Sequence, residues 1–205
     1  QWQALERFAG ESALFGVASA VGVTVGIGAH LYNCAALVHA GKILGLVPKE
    51  KLPTYSVFYE GRTLSRGAPG LSDRVHGVPF GDLIFDLDLG TVALEVCEDL
   101  WSPDGPMRRR CYAGAEVVLN VSASPFRLGV EETRREMIAT RSADNHALVV
   151  YANLAGANDG LIFDGGGYAA QNGRLLHSAP RFREGASAVT VDLDRTRRLR
   201  VENTT

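Results

Sequence analysis

Two runs made only of apolar residues, Val117-Val118-Leu119 and Leu148-Val149-Val150, limit the fold most tightly. A strand with one wet face alternates apolar and polar side chains. A strand without that alternation has to be covered on both faces. Helices supply such a cover, and residues 131–145, between the two runs, read as one. Mixed strands with a few intervening helices make an α/β layered domain the expected architecture.

The rest of the pattern fits. Residues 1–12 read as the end of a helix stopped by Gly10, and residues 21–27 as a strand. Residues 32–39 and 42–47 form two apolar runs meeting at Ala40-Gly41, a probable hairpin turn. Residues 48–70 are loop-like, rich in Pro, Gly, Tyr and charge. Residues 82–88 and 91–97 suggest a second strand pair turned at Leu89-Gly90, followed by a short helix over 106–113 and strands over 116–121 and 147–153. Two or three more strands should follow, with Asn172-Gly173 as a hairpin turn. Gly165-Gly166-Gly167 reads as a bend rather than a phosphate cradle.

Composition removes several classes of function. A formal net charge of −2 argues against nucleic-acid and membrane-surface roles. Arg108-Arg109-Arg110, the one basic cluster, reads as a solvated helix face. The most apolar stretch, residues 13–29, holds four glycines and alternates in its second half, which makes it a poor membrane span. The polar, amphipathic start shows no signal peptide. The first residue is Gln1, so the chain is expected to be processed or cut from something longer. Three cysteines without a CxxC pair suggest reduced thiols and a cytoplasmic location. The histidines lack metal-ligand spacing, so no metal site is expected. No GxxxxGK[ST] loop occurs, and Gly26-Ile27-Gly28 lacks the third glycine of a dinucleotide fingerprint.

The chemistry concentrates in two segments. In Thr91-Val92-Ala93-Leu94-Glu95-Val96-Cys97-Glu98-Asp99-Leu100-Trp101 a buried strand runs into a polar turn with Cys97 at its last position. A nucleophile needs a rigid support, an exposed tip and nearby backbone N–H groups for a developing oxyanion, and such a corner provides all three. Taken alone, Cys97 also fits a small core residue. Cys34, mid-strand, and Cys111, mid-helix, are explained by packing. In Leu46-Val47-Pro48-Lys49-Glu50-Lys51-Leu52-Pro53 a strand ends at a proline and delivers Lys49 to a loop. An ammonium beside a thiol stabilises the thiolate and then the oxyanion; by itself Lys49 also fits a solvated loop. It is one of only three lysines in an Arg-dominated chain. Tyr55-Ser56-Val57-Phe58-Tyr59-Glu60-Gly61-Arg62 follows, where aromatics beside a carboxylate could wall a pocket and hold a lysine.

Together these segments resemble the nitrilase (carbon–nitrogen hydrolase) superfamily, and more narrowly the glutaminase domains of glutamine-dependent NAD synthetases. Pro48 to Tyr55 with Phe58 to Arg62 match the lysine motif, and Val96-Cys97-Glu98-Asp99-Leu100-Trp101 the cysteine motif. Asn120-Val121-Ser122-Ala123-Ser124-Pro125-Phe126 and Asn158 to Gly166 point to the same branch. Residues 200–205 look like the linker to a synthetase half. The resemblance implies a four-layer α-β-β-α sandwich lacking its first strand, with residues 1–205 a partial glutaminase domain and the synthetase domain absent. It implies that Cys97 attacks the carboxamide of glutamine, that Lys49 and the N–H of Glu98 hold the oxyanion, and that Glu60 supports Lys49. Tyr55, Glu98, Trp101 and Ser124 would contact substrate. The ammonia would serve NAD synthesis from deamido-NAD. No cofactor is implied for this domain, ATP and Mg belonging to the synthetase part, which would be its partner in one polypeptide; a homo-oligomer is also implied. A stand-alone amidase acting on another amide or nitrile, and a non-catalytic remnant, are the alternatives. Two positions depart from the family. Its general-base glutamate matches no residue here, so the chain is expected to turn over poorly. Glu95 shares a strand face with Cys97 but lies deeper and in the wrong motif. Val130 stands where a Lys or Arg that helps bind substrate is common, leaving Arg127 as a substitute.

Overall fold

The computed structural model describes residues 1–203. The chain divides into two compact units, residues 1–85 with 94–106, and residues 86–93 with 107 onward. The architecture is α/β with mixed sheets, as the apolar runs and the resemblance imply.

The first unit opens with α1 (Trp2–Ser12). It continues through β1 (Ser19–Ile27), β2 (His30–His39), β3 (Lys42–Pro48), the one-turn α2 (Glu60–Thr63), β4 (Ser72–Val75) and β5 (Val78–Gly81). These strands form a sheet in the order β1-β2-β3-β5-β4, with β3 and β5 parallel and the other pairs antiparallel. Leu5 and Ala9 of α1 lie one turn apart, and both pack into a core with Val23, Cys34, Ala36, Leu46 and Phe80. Gly10 does not stop α1. It is exposed, and the helix runs on to Ser12, whose hydroxyl donates to Ala9 O at 2.6 Å and accepts Gly41 N–H at 3.1 Å. That bond ties the helix end to the β2–β3 turn, where Ala40 and Gly41 both take positive φ as a two-residue hairpin turn requires.

The β4–β5 hairpin, turned at His76-Gly77, is absent from the sequence reading, because Pro79 and the charged Asp73-Arg74 disguise four-residue strands. In the next pair β6 (Ile84–Leu87) is shorter than expected, β7 (Gly90–Val96) starts and ends one residue earlier, and the turn falls at Asp88-Leu89. Cys97 lies one residue past the end of β7, not on it, and α3 (Glu98–Trp101) follows at once.

The second unit contains α4 (Met107–Tyr112), β8 (Val117–Ser122), α5 (Val130–Asp144), β9 (Leu148–Asn153), β10 (Ala155–Asn158), β11 (Leu161–Asp164), β12 (Gly167–Gln171), β13 (Arg174–Ser178) and α6 (Leu193–Glu202). The six-stranded sheet runs β13-β12-β9-β8-β7-β6, and β10 and β11 form a separate ribbon. The two apolar runs become the adjacent parallel strands β8 and β9, joined by the crossover helix α5. Gly165 and Gly166, at positive φ, make the bend between β11 and β12. The arginine run is not wholly solvated, since Arg110 is buried in α4. Arg200, Val201 and Glu202, which resemble the start of a linker, form the last turn of α6. Arg200 donates from Nε to His146 O at 2.8 Å and from Nη2 to Ala115 O at 2.6 Å. Thr204 and Thr205 lie outside the described residues. Among the described residues no helix is long and apolar enough to cross a membrane.

Arg134 and Asp164, both fully buried, form the electrostatic centre of this unit. Arg134 Nη1 reaches both carboxylate oxygens at 2.8 Å, and Arg181 Nε adds a third bond at 2.8 Å. Burial alone would push the Asp164 carboxyl up, but the hydrogen bonds from Arg134 and Arg181 outweigh it and hold the group below its ordinary value. Its native pKa is therefore lower than its unfolded one. The stability it contributes is present above about pH 4 and is lost as pH falls through the lowered native value. Urea titrations from pH 7 to 2 should show a flatter acid limb for Asp164→Asn than for the parent. Arg134→Ala, which strips a buried carboxylate of its main partner, should cost roughly 3–5 kcal/mol by the same method.

Candidate active site

Lys49 follows β3 directly, and its backbone is fixed from two sides. Its N–H donates to Asn33 O at 2.8 Å and its carbonyl accepts Gly67 N–H at 2.8 Å. Gly67 has to be glycine, because a Cβ there would meet Pro48 O at 2.7 Å. The side chain is 1% exposed, and an ammonium so buried requires a counter-charge. Glu60 provides it from the first position of α2, with Nζ 2.7 Å from Oε1 and 2.6 Å from Oε2. The loop before α2 is built to present this carboxylate. Glu60 N–H donates to Pro53 O at 3.2 Å, and Gly61 N–H donates to the Thr54 hydroxyl at 3.2 Å.

Cys97 sits at the corner between β7 and α3 with φ 46° and ψ −99°. A non-glycine residue in that region stores roughly 1–3 kcal/mol of strain and persists only where its surroundings enforce it. Here Leu100 N–H donates to Cys97 O at 3.1 Å, and Val96 N–H, one residue earlier, donates to Asp99 Oδ2 at 3.1 Å. The other oxygen of Asp99 accepts Glu50 N–H at 3.0 Å and Lys51 N–H at 2.8 Å. One carboxylate thus joins the cysteine corner to the lysine loop. Sequence reasoning gave Asp99 no role; the signal available was a second carboxylate, two residues after a candidate nucleophile and just before the apolar Leu100-Trp101.

Of the expected site residues, Lys49 and Glu60 are in contact, and Cys97, Glu98 and Trp101 share one turn. Tyr55 joins them, its hydroxyl donating to Glu98 Oε1 at 2.9 Å and Oε2 at 3.1 Å. Phe58 stacks edge-on against Tyr55 with ring centroids 5.6 Å apart. Ser124 belongs to the second unit, where Asn153 and Arg134 hold it. Its N–H donates to Asn153 Oδ1 at 2.8 Å, and its carbonyl accepts Arg134 Nη2 at 2.9 Å. Val130 is buried at the start of α5 and Arg127 is exposed. Glu95 is fully buried within β7.

A model of the carbon-nitrogen hydrolase family matches residues 2–201. The chain belongs to the carbon–nitrogen hydrolase family. It is 36% identical over 172 residues to the glutamine-dependent NAD(+) synthetase of Aquifex aeolicus, a match covering 83% of this chain and 28% of that protein. Among solved structures it is similar to a glutamine-dependent NAD(+) synthetase from Cytophaga hutchinsonii, with 27% identity and a TM-score of 0.78 over 88% of this chain and 30% of that one. It also shares the fold of a carbon-nitrogen hydrolase from Helicobacter pylori G27, with a TM-score of 0.83 at 20% identity over 98% of this chain and 71% of that one. The chain spans under a third of the length of the two NAD(+) synthetases.

Within this family member the three thiols differ sharply in setting. None is in a disulfide. Cys34 and Cys111 are buried, as packing requires, and burial pushes the Cys34 thiol up to about 12. Cys34 therefore stays protonated and unreactive at neutral pH. Iodoacetamide at pH 7.5, followed by peptide mapping, should label Cys97 first and leave Cys34 and Cys111 unmodified while the protein is folded. Removing the counter-charge with Glu60→Ala leaves the Lys49 ammonium buried and should lower stability by about 1–3 kcal/mol in urea melts.

Proposed function

We propose that this chain is a glutaminase module whose nucleophile is Cys97. The observation that carries the reading is the Lys49–Glu60 pair. A lysine 1% exposed, gripped by both oxygens of one carboxylate, stands on a loop that Asp99 ties to the strained corner bearing Cys97. Support for glutamine as substrate comes from the similarity to the Aquifex and Cytophaga proteins, which are glutamine-dependent NAD(+) synthetases.

In this mechanism the Cys97 thiolate attacks the side-chain carboxamide carbon of glutamine. The carbonyl oxygen becomes an oxyanion, held by the Lys49 ammonium and the Glu98 N–H, which opens α3 and has no carbonyl inside that helix to bond. The tetrahedral adduct collapses and the C–N bond breaks. The nitrogen leaves as ammonia by taking up the proton that the Cys97 thiol gave up, carried between them by the family's general base or, in this chain alone, by water. Water then attacks the Cys97 thioester, releasing glutamate and restoring the thiol. Glu60 holds the Lys49 side chain in place through both of its oxygens. Tyr55 and Trp101 are the proposed substrate contacts within the first unit. The ammonia would pass to a synthetase part of the same polypeptide, where ATP and Mg would be used to convert deamido-NAD to NAD.

The test is ammonia release from glutamine, with asparagine and short aliphatic amides as competitors because Val130 replaces a basic residue. Cys97→Ala should abolish release, since no other group can form the thioester, and Lys49→Met should reduce it at least a hundredfold. Release that survives Cys97→Ala overturns the reading. The family's general base matches none of these 205 residues. The chain alone is therefore expected to acylate stoichiometrically but turn over roughly 10²- to 10⁴-fold more slowly than a version that carries such a base.

A further inference from the structure

Asp99 is a buried charge for which the reaction as written has no use. It is 1% exposed, and its partners include three backbone N–H groups. The donors are not arbitrary. Val96 immediately precedes Cys97, and Glu50 and Lys51 immediately follow Lys49. We propose that Asp99 is the positioning residue that sets the separation between the Lys49 ammonium and the Cys97 thiol, acting through the two backbones and never touching substrate. The inference rests on the roles given above to Cys97 and Lys49.

The strand ladders do not provide this link. Lys49 leaves β3 and Cys97 leaves β7, and these strands belong to different sheets. Nearly fifty residues of chain separate the two side chains, so their spacing depends on a tertiary contact. A carboxylate suits the task because it accepts on both oxygens at a fixed O–C–O angle, and ionised acceptors bind N–H groups about twice as strongly as neutral ones. An amide would not serve equally: one end could still accept from Glu50 and Lys51, but its NH₂ would face the Val96 N–H, donor against donor. The turn leaves Asp99 no room to drift, since Gly105 packs on its carbonyl so closely that a Cβ at 105 would clash with it. The bond to Val96 also braces the residue just before the strained Cys97.

The sign of the effect separates this role from its rivals. A nearby negative charge acting through space raises a thiol's pKa, so neutralising Asp99 would then lower it. Loss of positioning acts the opposite way, because the thiolate loses its ammonium. The experiment follows iodoacetamide labelling of Cys97 against pH in the 205-residue chain, in Asp99→Asn, in Lys49→Met and in the double variant, with Cys34 and Cys111 labelling as the folding control. Asp99→Asn should move the Cys97 midpoint up by about one unit, roughly tenfold in thiolate at neutral pH. Lys49→Met should move it at least as far, and the double variant no further than Lys49→Met alone, the mark of one shared path. A midpoint that Lys49→Met moves and Asp99→Asn leaves unchanged or lowers overturns the inference alone, as does an additive double variant. A midpoint that Lys49→Met does not move overturns the glutaminase reading and this inference with it. Where Asp99→Asn exposes Cys34, Asp99→Glu decides by the same midpoint, since it keeps the charge but shifts the carboxylate by one methylene. Exposure of Cys34 in both variants makes Asp99 a folding residue and overturns its positioning role.

Discussion

An ammonium removed from water must be paired, and the pairing of Lys49 with Glu60 organises the loop segment of the first unit. Lysine carries a compact, strongly hydrated charge, so a position with 1% exposure is tenable only with a carboxylate close by. The chain between β3 and β4 answers that demand. Pro53 and Thr54 anchor the start of α2, and Gly61 lets the helix approach Thr54. Gly67 allows the returning chain to bond the Lys49 carbonyl. A segment rich in Pro, Gly and Tyr thus becomes an ordered support with a single buried cation at its centre.

The second unit solves a similar problem with different chemistry. Its buried charge is a guanidinium, and the planar fork of Arg134 serves two ends at once. Nη1 meets both oxygens of Asp164, while Nη2 reaches the carbonyls of Ser124 and Pro125. Asn153 completes the frame, bonding Ser124 on one side and the carbonyl of Gly165 on the other. The Ser124 segment and the glycine bend after β11 are therefore held by the same few polar groups. A lysine, with one point charge and no fork, could not span both ends of this arrangement.

Much of this was legible in residue order. The apolar runs at 117–119 and 148–150 announced strands buried on both faces, and Ala40-Gly41 and Asn172-Gly173 marked the β2–β3 and β12–β13 hairpin turns, where Gly41 and Gly173 take the positive φ that such turns require. Cys97, Lys49 and Glu60 stood out because their types and surroundings suit one chemistry. Other features were hidden for physical reasons. The β4–β5 strands are four residues long and carry charge and proline, too short for periodicity to register. α1 outlasts Gly10 because Ser12 finds a partner in the β2–β3 turn, a contact that local propensity does not contain. α6 takes in the residues read as a linker because Arg200 meets carbonyls at 115, 145 and 146.

Sequence by itself determined the class of fold and the family and singled out the candidate reactive side chains, since each depends on residue type and on spacing along the chain. Only the tertiary structure decided how those side chains are held. The strained φ of Cys97 and the two-oxygen grip of Glu60 on Lys49 depend on the folded course of the backbone, and two of the three N–H bonds to Asp99 come from Glu50 and Lys51, far away in sequence. Backbone N–H groups are alike in every residue except proline, so residue order carries no mark of which ones a buried carboxylate will collect.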